Sequence, residues 1–246
     1  MKLFKYLLIL IILAVLLVSL MPLNLYYKHV SNNIRPIQLE NISGSAIKGS
    51  AQSLKYMGMD LGWASWFIYP SSYDEVSIDF KLKDQLYDVT GQYRKKPDVQ
   101  IINHVKGTVD WSLTDNYINF DHGQISGYIK LDFDHIEIKD GVPYRIIGKV
   151  VTKELKLLKP IEKDLGEIEI EFISDNPQVI VGQVNSRSNV LNVSGALYIH
   201  RNHRWELKLT LLPLAGEYLI ERALQNIGDA RRGGGRGRSL NLAGFY

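Results

Sequence analysis

The feature that most constrains the fold is a repeated alternation of apolar and polar side chains with a period of two residues. It occurs at residues 76–83, 166–172, 191–199 and 205–211. Because successive side chains of a strand point to opposite faces, this pattern predicts strands with one dry and one wet face. Such strands belong to antiparallel sheets, since parallel strands that are covered on both faces are almost continuously apolar. Outside its N-terminus the chain is therefore predicted to be all-β.

Turn-forming residues separate the alternating segments at short intervals. Asp140-Gly141 predicts a hairpin turn with two residues at positive φ, and Arg201-Asn202 predicts a second tight turn. Within residues 128–138 the apolar side chains slip from one phase of the alternation to the other. One extra residue in a strand produces such a slip, so we expect a β-bulge near Asp134 or His135.

A single segment after the N-terminal region has helical spacing, at residues 215–227. Ile220, Leu224 and Ile227 would lie on one face of this helix, and Gly228 is placed to end it. Residues 239–246 alternate again. The sequence thus predicts one short helix packed on the sheet, followed by a closing strand.

The N-terminal region contains an uninterrupted apolar segment at residues 6–27, without charge between Lys5 and Lys28. As a helix it would be about 33 Å long, enough to cross a hydrocarbon core of about 30 Å. We interpret it as an uncleaved transmembrane anchor. A cleaved secretory signal is the main alternative, although no small-x-small pair ends the run. A buried core helix is disfavoured because the segment is apolar on all sides.

The charges beside this segment predict its orientation and the organisation of the chain. Lys2 and Lys5 favour a cytoplasmic N-terminus at residues 1–5, which places the rest of the chain outside the cytoplasm. A tether at residues 28–40 would lead to a β-rich domain at residues 41–246. We expect a curved antiparallel sheet in two related halves, at about residues 41–104 and 105–246.

Composition limits the chemistry that the chain can carry. It has no cysteine, which excludes disulfides, thiolate metal sites and thiol nucleophiles. A net charge of +3 is too small to indicate a nucleic-acid partner. His200 and His203 lack a third clustered ligand, and Glu167, Glu169 and Glu171 line the wet face of one strand. We predict no catalytic, cofactor-binding or metal site.

Two groups of residues are candidates for an interface or a groove. The first is aromatic, Trp63 and Phe67, in a segment where both faces look apolar, so that these rings belong either to the core or to an interface. The second is a set of arginines in a glycine-rich run, which is either a solvated loop or a contact for acidic groups or lipid phosphates. Its members are Arg231, Arg232, Arg236 and Arg238. An RNA-binding role is disfavoured by the predicted compartment.

Two glycine motifs carry a resemblance to a known family. Gly44 and Gly49 bracket a Gly-x-x-x-x-Gly strand start, and Gly62, Trp66 and Pro70 form a Gly-x-x-x-Trp-x-x-x-Pro strand. With the apolar N-terminus, the β-rich middle and the helix before a last strand, the chain resembles the type II secretion system protein N family, also called general secretion pathway protein N. It departs from that family at Ile47, where a tryptophan is common.

The resemblance implies a bacterial, single-pass inner-membrane protein with a periplasmic C-terminal domain. Such a protein would be a non-enzymatic accessory of the machine that moves folded proteins across the outer membrane, and its partners would be inner-membrane subunits of that machine. A periplasmic lipid-binding or lipid-transfer protein with an apolar β-groove is the alternative function. An envelope enzyme is ranked last.

Overall fold

A computed structural model describes residues 21–31, 35–72, 75–114, 124–159, 161–173, 178–230 and 236–246. Most of the predicted anchor lies outside these residues, and so do Arg231 and Arg232. Within the described residues, no helix has the length and apolarity needed to cross a membrane. The chain divides into two compact units, the first ending at Lys95 and the second beginning at Lys96.

The first unit is an antiparallel sheet preceded by one short helix. Its strands follow the order β1-β2-β4-β5-β6, and β3 pairs with β2 as a small hairpin. The elements are α1 Leu23–Val30, β1 Ile37–Gly44, β2 Lys48–Tyr56, β3 Met59–Asp60, β4 Trp63–Pro70, β5 Val76–Lys83 and β6 Tyr87–Lys95.

The second unit is a longer antiparallel meander. Its strands lie side by side in the order β7 to β13, then β15 and β14. β15 therefore pairs with β13 on one side and with β14 on the other. The elements are β7 Gln100–Asp110, a 3₁₀ helix Trp111–Thr114, β8 Gln124–Lys139, β9 Val142–Lys159, β10 Lys163–Phe172, β11 Val179–Arg187, β12 Leu191–His200, β13 Arg204–Pro213, α2 Tyr218–Ala223, a 3₁₀ helix Leu224–Asn226, β14 Asp229–Ala230 and β15 Arg238–Phe245.

The predicted antiparallel, mostly β architecture is confirmed, and so are two of its local irregularities. The pairing of β8 with β9 shifts register between Phe133 and His135, at the predicted bulge. Asp140 and Gly141 have φ of 52° and 77° and join the same two strands. The turn at Arg201-Asn202 also forms, but it includes His203, whose φ is 64°.

The predicted helix at residues 215–227 is shorter in the structure. Gly216 has a φ of 90°, which a right-handed helix does not accommodate, so α2 begins only at Tyr218. After Ala223 the chain tightens into the 3₁₀ helix Leu224–Asn226. This tightening is common at the C-terminal end of an α-helix.

The main core of the second unit lies between α2 and the dry face of the sheet. Ile220 is 1% exposed and Leu224 is 8% exposed, and both pack on side chains of β11, β12 and β13. Ile227 lies against the same cluster, although the helical segment ends before it and its backbone is extended. The sheet residues at the centre of this cluster are Val184, Leu191, Val193 and Leu211. The dry face continues away from α2 in a second cluster around Ile146, Phe172 and Ile180.

Candidate interaction surfaces

Trp63 and Phe67 lie on the same face of β4, because they are four residues apart in a strand. Trp63 is 37% exposed and Phe67 is 44% exposed. The Phe67 ring stacks on Tyr69, with 5.4 Å between ring centroids. We call Trp63, Phe67 and Tyr69 the β4 aromatic row.

The β4 aromatic row is fixed at one end by hydrogen bonds to the neighbouring strands. The Tyr69 hydroxyl donates to Asp79 Oδ1 at 3.1 Å, and Gln92 Nε2 donates to the Tyr69 oxygen at 2.6 Å. Burial, followed by the hydrogen bond to the Asp79 carboxylate, raises the pKa of Tyr69. The two hydrogen bonds of the phenol hold the ring beside Phe67.

Trp66 points to the opposite face of β4 and has a structural role. Its Nε1 donates to the Ala46 carbonyl at 3.0 Å. Gly49 is its direct partner on β2, and a Cβ at Gly49 would lie only 2.6 Å from the Trp66 ring. The two glycine motifs of the sequence are therefore in contact, because the Trp66 ring of the second motif packs over the Gly49 backbone of the first.

A second cross-strand pair repeats this arrangement in the second unit. Gly244 on β15 is the partner of Trp205 on β13, and a Cβ at Gly244 would lie 2.9 Å from the Trp205 ring. A large ring over a glycine replaces the packing that the missing side chain would supply. Both pairs hold a strand close to its neighbour near a sheet edge.

The described arginines of the glycine-rich run have different environments. Arg238 Nε donates to the Leu224 carbonyl at 3.1 Å and to the Ile227 carbonyl at 3.2 Å, and its terminal nitrogen donates to the Gln225 carbonyl. These carbonyls lie in the segment that follows α2. The Leu224 carbonyl also accepts a hydrogen bond from the Ile227 N–H at 2.9 Å, and Arg238 adds side-chain donors that close the end of the helical segment. The guanidinium of Arg238 is thus engaged within the fold.

Arg236 is half exposed and makes two loose contacts. Its Nε lies 3.8 Å from Glu221 Oε2, and its guanidinium carbon lies 5.6 Å from the centroid of the Tyr218 ring. Among the described arginines of the run, it is the one whose charge faces solvent. Trp63 and Phe67 belong to the first unit, whereas Arg236 and Arg238 belong to the second.

The sequence predicted a closing strand at residues 239–246 but not that the two outer strands β1 and β15 differ in how they are covered. At β1, the Tyr27 hydroxyl of α1 accepts a hydrogen bond from the Leu39 N–H at 2.6 Å, and Pro22 forms an isolated bridge with Ser45. At β15, the described residues that pair on the outer side are those of β14, and they reach only Arg238 and Ser239. The absence of charge and proline from residues 239–246 was a signal of this open edge.

The histidines of the β12–β13 turn do not form a metal centre with other described residues. His200 Nε2 lies 3.6 Å from Glu206 Oε1, which is shared with Arg204 at 3.0 Å. No group of three histidine, aspartate or glutamate side chains that could hold a metal ion occurs in the described ranges. Both positions therefore belong to a charged turn on the wet face.

Comparison with known proteins gives one match. The family model described as type II secretion system (T2SS), protein N matches residues 35–238, which begin after α1 and end at the first residue of β15. No curated protein and no solved structure matches the chain.

Proposed function

This chain belongs to the type II secretion system protein N family, and we propose that it is a non-enzymatic, single-pass inner-membrane accessory of that system. In this role it assists the export of folded proteins from the periplasm across the outer membrane. The observation that carries the proposal is the family match itself, which extends over strands of both units.

The membrane part of the proposal is supported by the charge-free segment and by the short helix at its C-terminal end. The proposed span at residues 6–27 carries no charge, and Lys2 and Lys5 favour a cytoplasmic start. Where this segment ends, α1 lies along β1, with Leu23 8% exposed and the Tyr27 hydroxyl bonded to the backbone of β1. An anchor joined to such a helix would be held against the first unit.

The subunit-docking part of the proposal is supported by the β4 aromatic row. Trp63 and Phe67 expose large ring surfaces on a face whose neighbouring strands present polar groups such as Asp79 and Gln92. Aromatic side chains surrounded by polar groups are frequent anchors of protein interfaces. We assign this face to contact with another inner-membrane subunit of the secretion system.

Co-purification from crosslinked membranes tests this assignment. We expect the wild-type chain to retain inner-membrane secretion subunits, and the double variant Trp63→Ser with Phe67→Ser to lose them while its melting temperature is kept. The matched control is Met57→Asn with Met59→Ser, which removes apolar side chains that are 71% and 60% exposed in the same unit. Equal retention of the subunits by both variants would contradict the assignment.

Two further measurements separate the proposal from its alternatives. After alkaline washing of membranes, a retained full-length chain supports the anchor, whereas release of a shortened chain supports a cleaved signal. Organic extraction of the purified chain, with mass spectrometry of the extract, tests the lipid-binding alternative. Stoichiometric bound lipid together with normal secretion in cells that lack the chain would favour that alternative.

A further inference from the structure

We propose that the outer edge of β15, at residues 240–245, is a docking edge for an extended acidic segment of another polypeptide, which adds to the sheet as a further strand. This surface is distinct from the β4 aromatic row, and the inference rests on strand geometry and charge in the second unit. It goes beyond a role in secretion because it defines the backbone chemistry and the charge of the partner.

The backbone of β15 presents hydrogen-bonding groups at alternate residues that no described strand pairs with. The Tyr246 N–H donates to the His203 carbonyl at 2.9 Å, which fixes the phase of the pairing with β13. In an antiparallel pair, both backbone groups of a residue point to the same side, and the side alternates along the strand. Asn241, Ala243 and Phe245 therefore direct their N–H and C=O groups away from β13.

Among the described residues, the edge of β15 lacks the features with which proteins protect exposed strands. β15 pairs with β13 over eight consecutive positions without a shift in register, so no bulge twists it away. Residues 239–246 contain no charge and no proline. At the other terminal strand, β1 has α1 against it and a positive φ at Asn41. The contrast indicates that the edge of β15 is kept accessible for pairing.

The side chains along the edge define the pattern of the partner. On the dry face, Leu242 is 38% exposed next to Leu240, so the added strand needs apolar side chains at alternate positions. On the wet face, Phe245 is 79% exposed and is the direct partner of Arg204, while Asn241 is the partner of Lys208. The side chains of the partner that alternate with these apolar ones would lie on the wet face.

The charge of the wet face favours acidic side chains on the partner. Arg204 and Lys208 are 49% and 57% exposed at their side chains, and they share the single carboxylate of Glu206 at 3.0 and 2.8 Å. A second copy of the chain would bring these cations against their own equivalents, whereas an acidic strand would complement them.

Fluorescence anisotropy with the full-length chain in detergent tests the proposal. The probe is a labelled short peptide of alternating glutamate and valine, and its control alternates lysine and valine. We expect the glutamate peptide to bind at least about tenfold more tightly than the lysine peptide. Ala243→Pro removes an outward N–H and should weaken binding of the glutamate peptide by about tenfold or more, whereas Ala243→Ser should bind it like wild type.

A change in the peptide keeps the test decisive if Ala243→Pro impairs folding. Methylation of the glutamate amide nitrogens removes the N–H groups of the peptide residues that would pair with Asn241, Ala243 and Phe245, and it leaves the protein unaltered. It should weaken binding by about tenfold or more. Equal binding of the methylated and unmethylated peptides would overturn the proposal, as would equal binding of the two charge types. A wild-type dimer in sedimentation that Ala243→Pro dissociates would identify a second copy as the occupant and would also overturn it.

Discussion

At the scale of single residues, the face of the strand on which a side chain lies decides whether it supports the fold or is available to a partner. Trp63 and Trp66 are three residues apart on β4, so they lie on opposite faces. The Trp66 indole bonds the Ala46 carbonyl and covers Gly49, whereas Trp63 is 37% exposed. The same residue type therefore has two different roles in one strand.

Substitution of the two tryptophans separates these roles. Trp66→Ala removes the ring that covers Gly49 and leaves the Ala46 carbonyl without its donor, so we expect a loss of about 3 kcal/mol in the free energy of unfolding. Trp63→Ala should cost less than about 1 kcal/mol. Urea denaturation of both variants measures the difference. Equal losses would show that the exposed ring of Trp63 is as important to the fold as Trp66.

The two described arginines of the glycine-rich run differ in the same way. Arg238→Gln removes charge-assisted hydrogen bonds to the carbonyls that come after α2, and we expect it to cost about 2 kcal/mol. Arg236→Gln should change stability by less than about 0.5 kcal/mol, since its contacts are loose and exposed. Thermal denaturation compares the two. A larger loss for Arg236→Gln would contradict the assignment of Arg238 as the residue that closes the helical segment.

Glu206 gives the second unit a pH-dependent contribution to stability. The hydrogen bond from Lys208, assisted by the charges of Arg204 and Lys208, lowers the pKa of Glu206 from its ordinary value of 4.5. A carboxylate with a lowered pKa stabilises the fold at pH values above its unfolded-state pKa. This stabilisation is lost as pH falls through its folded-state pKa. We expect the melting temperature of Glu206→Gln to be below that of wild type at pH 7, and the difference to shrink below about pH 4. A difference that is constant with pH would contradict this.

The residue-level roles were only partly accessible from sequence. The alternation in β4 places Trp63 and Trp66 on opposite faces, because the period of two is a property of the strand alone. The engagement of Arg238 could not be predicted, since it depends on where the carbonyls after α2 lie relative to β15. A run of arginines and glycines has the same pattern whether its guanidinium groups face solvent or a helix end.

At the scale of elements, α2 is the part that closes the core of the second unit. Its Ile220 enters a cluster with β11, β12 and β13, and Lys163 of β10 forms an ion pair with Glu217, just before α2, at 2.9 Å. Ile220 is 1% exposed, whereas the adjacent Leu219 is 54% exposed. The two positions form a matched pair for mutation.

Ile220→Ala should leave a cavity between α2 and the sheet. We expect it to lower the free energy of unfolding by about 3 kcal/mol, and Leu219→Ala to lower it by less than about 1 kcal/mol. Denaturation monitored by tryptophan fluorescence compares them. Similar small losses for both would indicate that α2 is not required for the core.

Strands, turns and the bulge of β8 were predictable because each is encoded over a few neighbouring residues. The slip of apolar phase near His135 and the Asp140-Gly141 pair are examples. The neighbours of each strand were less accessible: β13 pairs with β15 although α2 and β14 lie between them in sequence. An alternating pattern specifies the face that is buried, and pairing depends on tertiary packing.

At the scale of the whole molecule, the chain combines a family assignment with two surfaces suited to binding proteins. The β4 aromatic row lies in the first unit and the open edge of β15 lies in the second. The relatedness of the two halves and the single span at residues 6–27 stay predictions from sequence. The family match supports a part in type II secretion, and what the chain contributes to export is the central claim.

The distribution of a folded exported protein between periplasm and culture medium tests this claim most directly. In cells that lack the chain, we predict that the exported protein accumulates in the periplasm, and that wild-type chain supplied from a plasmid restores it to the medium. The variant with Trp63→Ser and Phe67→Ser, although stably folded, should fail to restore export. An unchanged distribution in cells without the chain, with the rest of the secretion system intact, would contradict the claim.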